Sequence, residues 1–234
     1  MVLFGTIVNV FLIILGAVIG RFLHNIPERM KETVMYGIGL AVTVIGIQMT
    51  FESTQILIVI ISIVLGAVIG EWIDLDSKLN ELGKWLESKL PARESGQGIA
   101  QGFVTATLIF VVGSMAIIGA IDSGLRNDHD VLVIKGIIDG FTSIILSSTL
   151  GIGVAFAAIP VFLYQSIITL FSTQISRLIP KELLDLFIAE MTATGGLMII
   201  AIGLNLIGLT KIRVANLIPG ILVVGIVVGI VFVL

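Results

Sequence analysis

The chain has 234 residues, of which 57% are hydrophobic and only 12% charged, with a net charge of −3 and a mean hydropathy of +1.16. A soluble domain carries about 45–50% apolar and roughly 25% charged residues, so these proportions exclude a water-soluble globule and describe a chain whose outer skin is lipid. Small mixed charge argues against nucleic acid as a partner, and a cysteine count of zero removes disulfides, thiolate catalysis and cysteine-ligated metals.

At about 20 apolar residues per crossing, one all-α membrane domain over 1–234 has room for seven or eight spans. The first covers 2–23. A secretory signal opens on basic residues, whereas the first one here is Arg21, so this run reads as a span. Spans two and three cover 34–51 and 55–73. Residues 74–98 are the longest polar stretch, with Leu75, Leu79, Leu82, Leu86 and Leu90 at helical spacing, charges on the other face and Trp85 as an anchor. That pattern predicts an amphipathic helix in the membrane interface; a short soluble helix in an exposed loop is the alternative.

Span four covers 99–121. Residues 131–176 are apolar for longer than one crossing needs and contain a glycine break at Gly151 and Gly153, then Pro160. They predict two spans, 131–149 and 152–175, with one span plus a re-entrant hairpin as the rival. Spans at 190–209 and 214–234 complete eight, or seven on the rival reading. Short-loop basic residues set orientation. Arg21, Arg29 and Lys31 follow span one and Lys78, Lys84, Lys89 and Arg93 follow span three, against Arg126 alone after span four. The basic loops are expected in the cytoplasm and Met1 outside, in a multi-pass protein of the inner or plasma membrane.

The sequence also repeats itself. LGAVIG at 15–20 recurs at 65–70, and VIGIQ (44–48), VVGSM (111–115) and AIGLN (201–205) each place a glycine before a polar or soft side chain. Ile26-Pro27 and Ile179-Pro180 open two similar connectors. Residues 1–73 and 151–234 therefore read as related three-helix repeats around a central 74–150 segment. With eight spans the second copy is inverted, the architecture of many secondary transporters; with seven the copies run parallel.

Ionisable groups inside a span cost on the order of 2.5–3.5 kcal/mol near its centre. Lys135 and Asp139, at i and i+4, share a helix face and can pair; either they face an aqueous path, or Lys135 snorkels to the headgroups with Asp139 as its tether. Gln48 and Asn205 hold matching places in the proposed repeats, and Asn9 and Asn216 open the first and last spans. Such amides either join helices or coordinate a solute. Tyr164 and Gln165 follow Pro160, a residue that frees a backbone carbonyl in a helix, and Ser143, Ser147, Ser148 and Thr149 precede the glycine break; broken helices expose carbonyls to ions, or the hydroxyls bond back to their own helix. The small-residue pairs Gly16/Gly20, Gly66/Gly70 and Gly225/Gly229 are expected at helix contacts, within the chain or in a homodimer.

No phosphate-binding loop, HExxH pair or Ser-His-Asp grouping is visible, so no enzymatic activity is expected. His24 and His129 fall in separate loops, giving no basis for a metal site, and no cofactor is expected. The leading expectation is a secondary transporter or channel for a small solute or ion, working between the repeats near mid-membrane. Its path is drawn from Gln48, Ser114, Met115, Lys135, Asp139, Tyr164, Gln165, Asn205 and Asn216. The alternative is a non-transporting scaffold or sensor that docks partners through the 74–98 helix.

Several ordered motifs carry a resemblance over essentially the whole chain: FVVGSMAIIGAIDSG, VIKGIIDGFTSI, GIGVAFAA, YQSIITL, GGLMIIAIGLNL and IRVANLIPG. They resemble the uncharacterised prokaryotic membrane proteins of the YqgA/YdfK type, the domain of unknown function numbered five hundred and fifty-four. The resemblance implies a multi-span inner-membrane protein of about this length. Its motif stretches fall on Gly113, Ser114, Met115, Lys135, Asp139, Gly140, Tyr164, Gln165, Gly196, Gly203, Asn205, Asn216 and Pro219. It supplies no mechanism.

Overall fold

The computed structural model describes residues 1–22, 28–88 and 99–233; His24, Ile26, Pro27, Lys89, Leu90 and Arg93 lie outside the described residues. Lipid offers no partner to a backbone N–H or C=O, so apolar runs become helices, and no strand occurs among the described residues. In chain order the helices are α1 (Phe4–Phe22), α2 (Glu28–Thr50), α3 (Ile56–Ile73), α4 (Leu75–Ser88), α5 (Ile99–Val111) and α6 (Ser114–Arg126). Then follow α7 (Asp130–Leu150), a 3₁₀ segment (Ile152–Ala157), α8 (Ala158–Leu170), α9 (Ser172–Leu178), α10 (Lys181–Leu206), a 3₁₀ turn (Val214–Leu217) and α11 (Pro219–Val233).

Six of these segments are long and apolar enough to cross a bilayer, and the bent α5–α6 pair makes a seventh when taken as one crossing. The expected eight differs by α2, whose apolar part, Met35–Thr50, is shorter. The long run 131–176 is two such segments, Asp130–Leu150 and Ile152–Leu170. Gly151 divides them at φ 76°, a left-handed conformation that favours glycine.

Two local expectations are corrected. Pro160 does not free a carbonyl in mid-helix; it sits in the first turn of α8, where a missing N–H costs nothing. Gly113 is not an interior helix glycine like Gly46 and Gly203. At φ 147° it breaks span four into α5 and α6, bent by 60°.

The helices gather into two compact units, residues 1–32 with 80–178 and residues 33–79 with 179–234. Each of the proposed repeats, 1–73 and 151–234, is divided between them.

In the first unit α1 lies along α7 with almost no side chain between the backbones. A Cβ on Gly16 would strike the Gly140 carbonyl, one on Gly20 that of Ile144, and one on Gly136 would come within 2.9 Å of the Asn9 Cα. Gly5 meets Leu132 in the same way. The numbers rise together, so the two helices run parallel. Ser147 Oγ donates to the Ala17 carbonyl at 2.7 Å, and at the N-terminal end Ser123 Oγ donates to that of Val2 at 2.9 Å. α1 also packs on α8, and α6 on α7 and α8.

In the second unit α2 and α10 meet through small residues in the opposite sense. Gly39 lies against Gly203 and Ile207, and Gly46 against Gly196 and Ile200, so these helices are antiparallel. Gly66 and Gly70 of the second LGAVIG copy press on Gly220 and Asn216, making α3 and α11 antiparallel too. Among the described residues the pair Gly225/Gly229 forms no such seam within this unit: Gly225 would meet the Phe187 ring edge at 3.5 Å, and Gly229 has nothing within 4 Å.

Candidate functional site

α7 is 21 residues long, roughly 31 Å at 1.5 Å per residue and close to the ≈ 30 Å hydrocarbon thickness of a bilayer. Asp139 stands about 14 Å along it by the same rise, near mid-depth. Lys135, one turn earlier, places Nζ 2.5 Å from Asp139 Oδ2. Their side chains are only 7% and 6% exposed, so Lys135 is turned inward to its partner and does not snorkel. Two charges held in so little water are costly unless paired, and this pair is internal to one helix face.

The helix facing the pair is α1. Gly136 and Gly140 remove the side chains that would otherwise separate α7 from it, which brings Asn9 to the level of the pair. The Asn9 amide sits beside the Asp139 carboxylate, yet among the described residues neither of its side-chain atoms has a partner at full hydrogen-bonding geometry. Thr6, one turn before Asn9, and Ser143, one turn after Asp139, are also fully buried with unpartnered hydroxyls. On α8, which packs against α1 as well, Gln165 is 0% exposed with both amide atoms unpartnered, and Ser166 and Thr169 have unpartnered hydroxyls. Buried polar atoms are nearly always hydrogen-bonded in folded proteins. A seam of them on α1, α7 and α8, with Asn9 beside a buried ion pair, is an interior suited to water, an ion or a polar solute.

The remaining sequence-chosen residues of this unit lie on α6 and α8. Ser114 opens α6 at the Gly113 break, half-buried, with Met115 beside it at 36% exposure. Tyr164 is half-buried on α8 next to Gln165. Asn9 was legible as a polar letter in an apolar run, and what placed it at the pair was the α1–α7 packing; Thr6 was missed.

In the second unit the proposed equivalence of Gln48 and Asn205 is not realised. Antiparallel pairing of α2 and α10 puts Gln48 near the level of Gly196 and Asn205 near that of Gly39, at different depths. Gln48 is exposed on α2. Asn205 is engaged by the loop after α10: it accepts from Thr210 Oγ1 at 2.7 Å and the Ile212 N–H at 2.9 Å, and donates to the Ile212 carbonyl at 2.7 Å. It is a helix-end clamp. Asn216 is likewise engaged, donating to Glu71 Oε2 at 2.5 Å and accepting the Asp76 N–H at 2.8 Å, while Arg213 forms an ion pair with Glu71. The cluster joins the 3₁₀ turn before α11 to the end of α3 and the start of α4, so the amphipathic helix is fixed at its first turn. Of the predicted 74–98 helix, residues 75–88 are α4 and 89–98 lie outside the described residues.

Sequence reasoning missed Glu190. It is 0% exposed on α10 and accepts four hydrogen bonds from the α2–α3 turn: Ser53 Oγ at 2.6 Å, the Thr54 and Gln55 N–H groups at 2.8 Å each, and Thr54 Oγ1 at 2.9 Å. A carboxylate under the open amides of a helix start is a favourable cap. The signal was present as an acidic residue at the head of the apolar run from 190.

Residues 4–229 match the family described as protein of unknown function DUF554, and the chain belongs to it. The uncharacterized membrane protein YdfK of Bacillus subtilis is 34% identical over 226 residues, spanning 94% of this chain and 93% of its own. The uncharacterized protein YqgA of Escherichia coli is 29% identical over 225 residues, spanning 93% of each. No solved structure matches.

Proposed function

We propose that this family member is a cell-membrane transporter or channel for a small polar solute or ion, with its path along the buried polar seam of the first unit. The observation that carries the reading is the Lys135–Asp139 pair, held at mid-depth beside the unpartnered Asn9 amide. Ionisable residues inside spans face water-filled paths or one another, and this pair does the second while bordered by groups that want the first. The broken helices of the same unit, at Gly113 and Gly151, add the exposed helix ends that transport sites use.

The helix directions support eight crossings. Parallel α1 and α7 require an odd number of crossings between them, which α2, α3 and the bent α5–α6 pair together supply. The alternative is α3 alone, which leaves α2, paired along α10 from Gly39 to Thr50, outside the membrane. Eight crossings give each unit four, return both termini to one side, and make the two proposed three-helix repeats enter the membrane from opposite faces. The basic loops place that side outside. The scaffold or sensor reading rests on α4, with its anchored first turn and Trp85 at 56% exposure; it predicts a sealed seam.

The native chain has no cysteine, so single cysteines report access directly. Thr6→Cys, Asn9→Cys and Ser143→Cys are expected to react with a small charged thiol reagent in intact vesicles. Val18→Cys, on the outer surface of α1, is expected to stay unmodified. Seam cysteines as inert as the lipid-facing control would remove the path.

A further inference from the structure

We propose that Asp139, with the Asn9 amide oxygen beside it, forms a site for a monovalent inorganic cation, and that the Lys135 ammonium is its tethered occupant. The inference rests on the seam being a solute path and names the class of ion it takes.

The donor set is the first argument. Beside the Asp139 carboxylate stands the Asn9 amide, and both offer oxygen, the ligand of hard cations. The Asn9, Thr6 and Ser143 side chains are each fully buried and unpartnered. Asn9 lies within about one helical turn of Asp139 along two parallel helices that glycine brings into backbone contact, and Thr6 and Ser143 continue the polar seam one turn further toward either end. One carboxylate with a neutral amide oxygen suits a single charge.

Charge balance is the second. Lys135 and Asp139 neutralise each other, and neither charge can be left alone at this depth without a heavy penalty. An anion entering to meet Lys135 would strand Asp139. A cation entering to meet Asp139 releases Lys135, whose four-carbon stem is flexible and whose route out is short. Asp130 opens α7 about 7–8 Å up the helix, and Asp128 and Asp130 at the mouth are exposed. Lys135 can therefore exchange Asp139 for the headgroup-level aspartates by snorkelling, with the buried carboxylate neutralised at either end of the exchange. The mouth itself, residues 122–130, carries three aspartates against one arginine, a field that concentrates cations.

The test is thermal unfolding of the full-length protein in detergent, titrated with NaCl or KCl while choline chloride holds ionic strength constant. Wild type is expected to show a weak stabilisation by one of the two inorganic cations, because the ammonium keeps most molecules out of the binding-competent state. Lys135→Gln is expected to show a saturable shift with a half-saturating concentration about tenfold or more below that of wild type, the factor by which a competent fraction near one in ten weakens apparent affinity. Lys135→Gln/Asp139→Asn is expected to show none beyond choline. Should Lys135→Gln fail to fold in choline, extraction in NaCl or KCl should rescue it; failure in all three salts overturns the site, as does a cation shift that survives in the double variant. Failure of this proposal and failure of the transport reading are separable. Cation-specific stabilisation with unreactive seam cysteines leaves the ion site and removes the path. Reactive cysteines with no cation-specific shift in Lys135→Gln leave the path and remove the ion.

Discussion

Asp139→Asn alone is expected to destabilise the protein by about 3–5 kcal/mol, the cost of leaving one member of a buried pair uncompensated. The substitution keeps the shape and leaves the Lys135 ammonium, 7% exposed, facing an amide. Lys135→Gln in the absence of small cations should cost a comparable amount, since it strands the carboxylate. Removing both charges together should cost far less than the sum, because a Gln and an Asn at i and i+4 can still bond to each other and no charge remains to be desolvated. Chemical unfolding in detergent measures the four states of this cycle. Near-additive losses would mean that the two charges act separately, each solvated by its own water.

Glu190→Ala is expected to be costly for a different reason. The carboxylate collects the Thr54 and Gln55 N–H groups and two hydroxyls, and truncation leaves the two backbone donors without their acceptor at about 1–3 kcal/mol each. The hydroxyls can turn elsewhere, so a loss of roughly 2–6 kcal/mol is expected. Glu190→Gln keeps one acceptor oxygen and gains an N–H that Ser53 can accept, so it should lose less than half as much. The readout is local as well as global. With the turn released, chymotrypsin should cut after Phe51, which is 83% exposed, faster in the alanine variant than in wild type. Unchanged stability and unchanged cleavage would show that the α2–α3 turn does not depend on Glu190.

Most of the helices were legible because lipid admits one solution for an apolar run. Where the reading failed, the deciding information was not local. Gly46, Gly113 and Gly203 look alike in sequence, each before a polar or soft side chain, yet only Gly113 adopts a positive φ, so the shared pattern concealed a break in span four. α10 begins at Lys181, ahead of the expected 190, because Lys181, Glu182 and Asp185 read as a loop and are in fact the polar first turns of the helix. The identical hexamers at 15–20 and 65–70 do serve as close-contact surfaces, but against different partners, α7 for the first and α11 with its preceding turn for the second. The motif repeats a way of packing, and each copy takes its partner from its own unit.

The site shows the same division. Spacing alone pairs Lys135 with Asp139, whereas Asn9 joins them only because α1 lies in parallel against α7, a contact between segments far apart in the chain. Gln48 and Asn205 were matched by motif and separated by geometry. An amide near a helix end finds backbone partners in the adjoining loop, as Asn205 does with Ile212, and local capping then outcompetes any shared site.

The central claim is that the Lys135–Asp139 seam conducts. Its most direct measurement is uptake by proteoliposomes of purified wild-type protein and of the Lys135→Gln/Asp139→Asn variant, across Na+, K+ and a panel of small polar solutes. The account predicts flux of at least one member by wild type and its loss in a double variant that elutes and unfolds as a folded protein. Equal flux by the two proteins for every solute tested would contradict it.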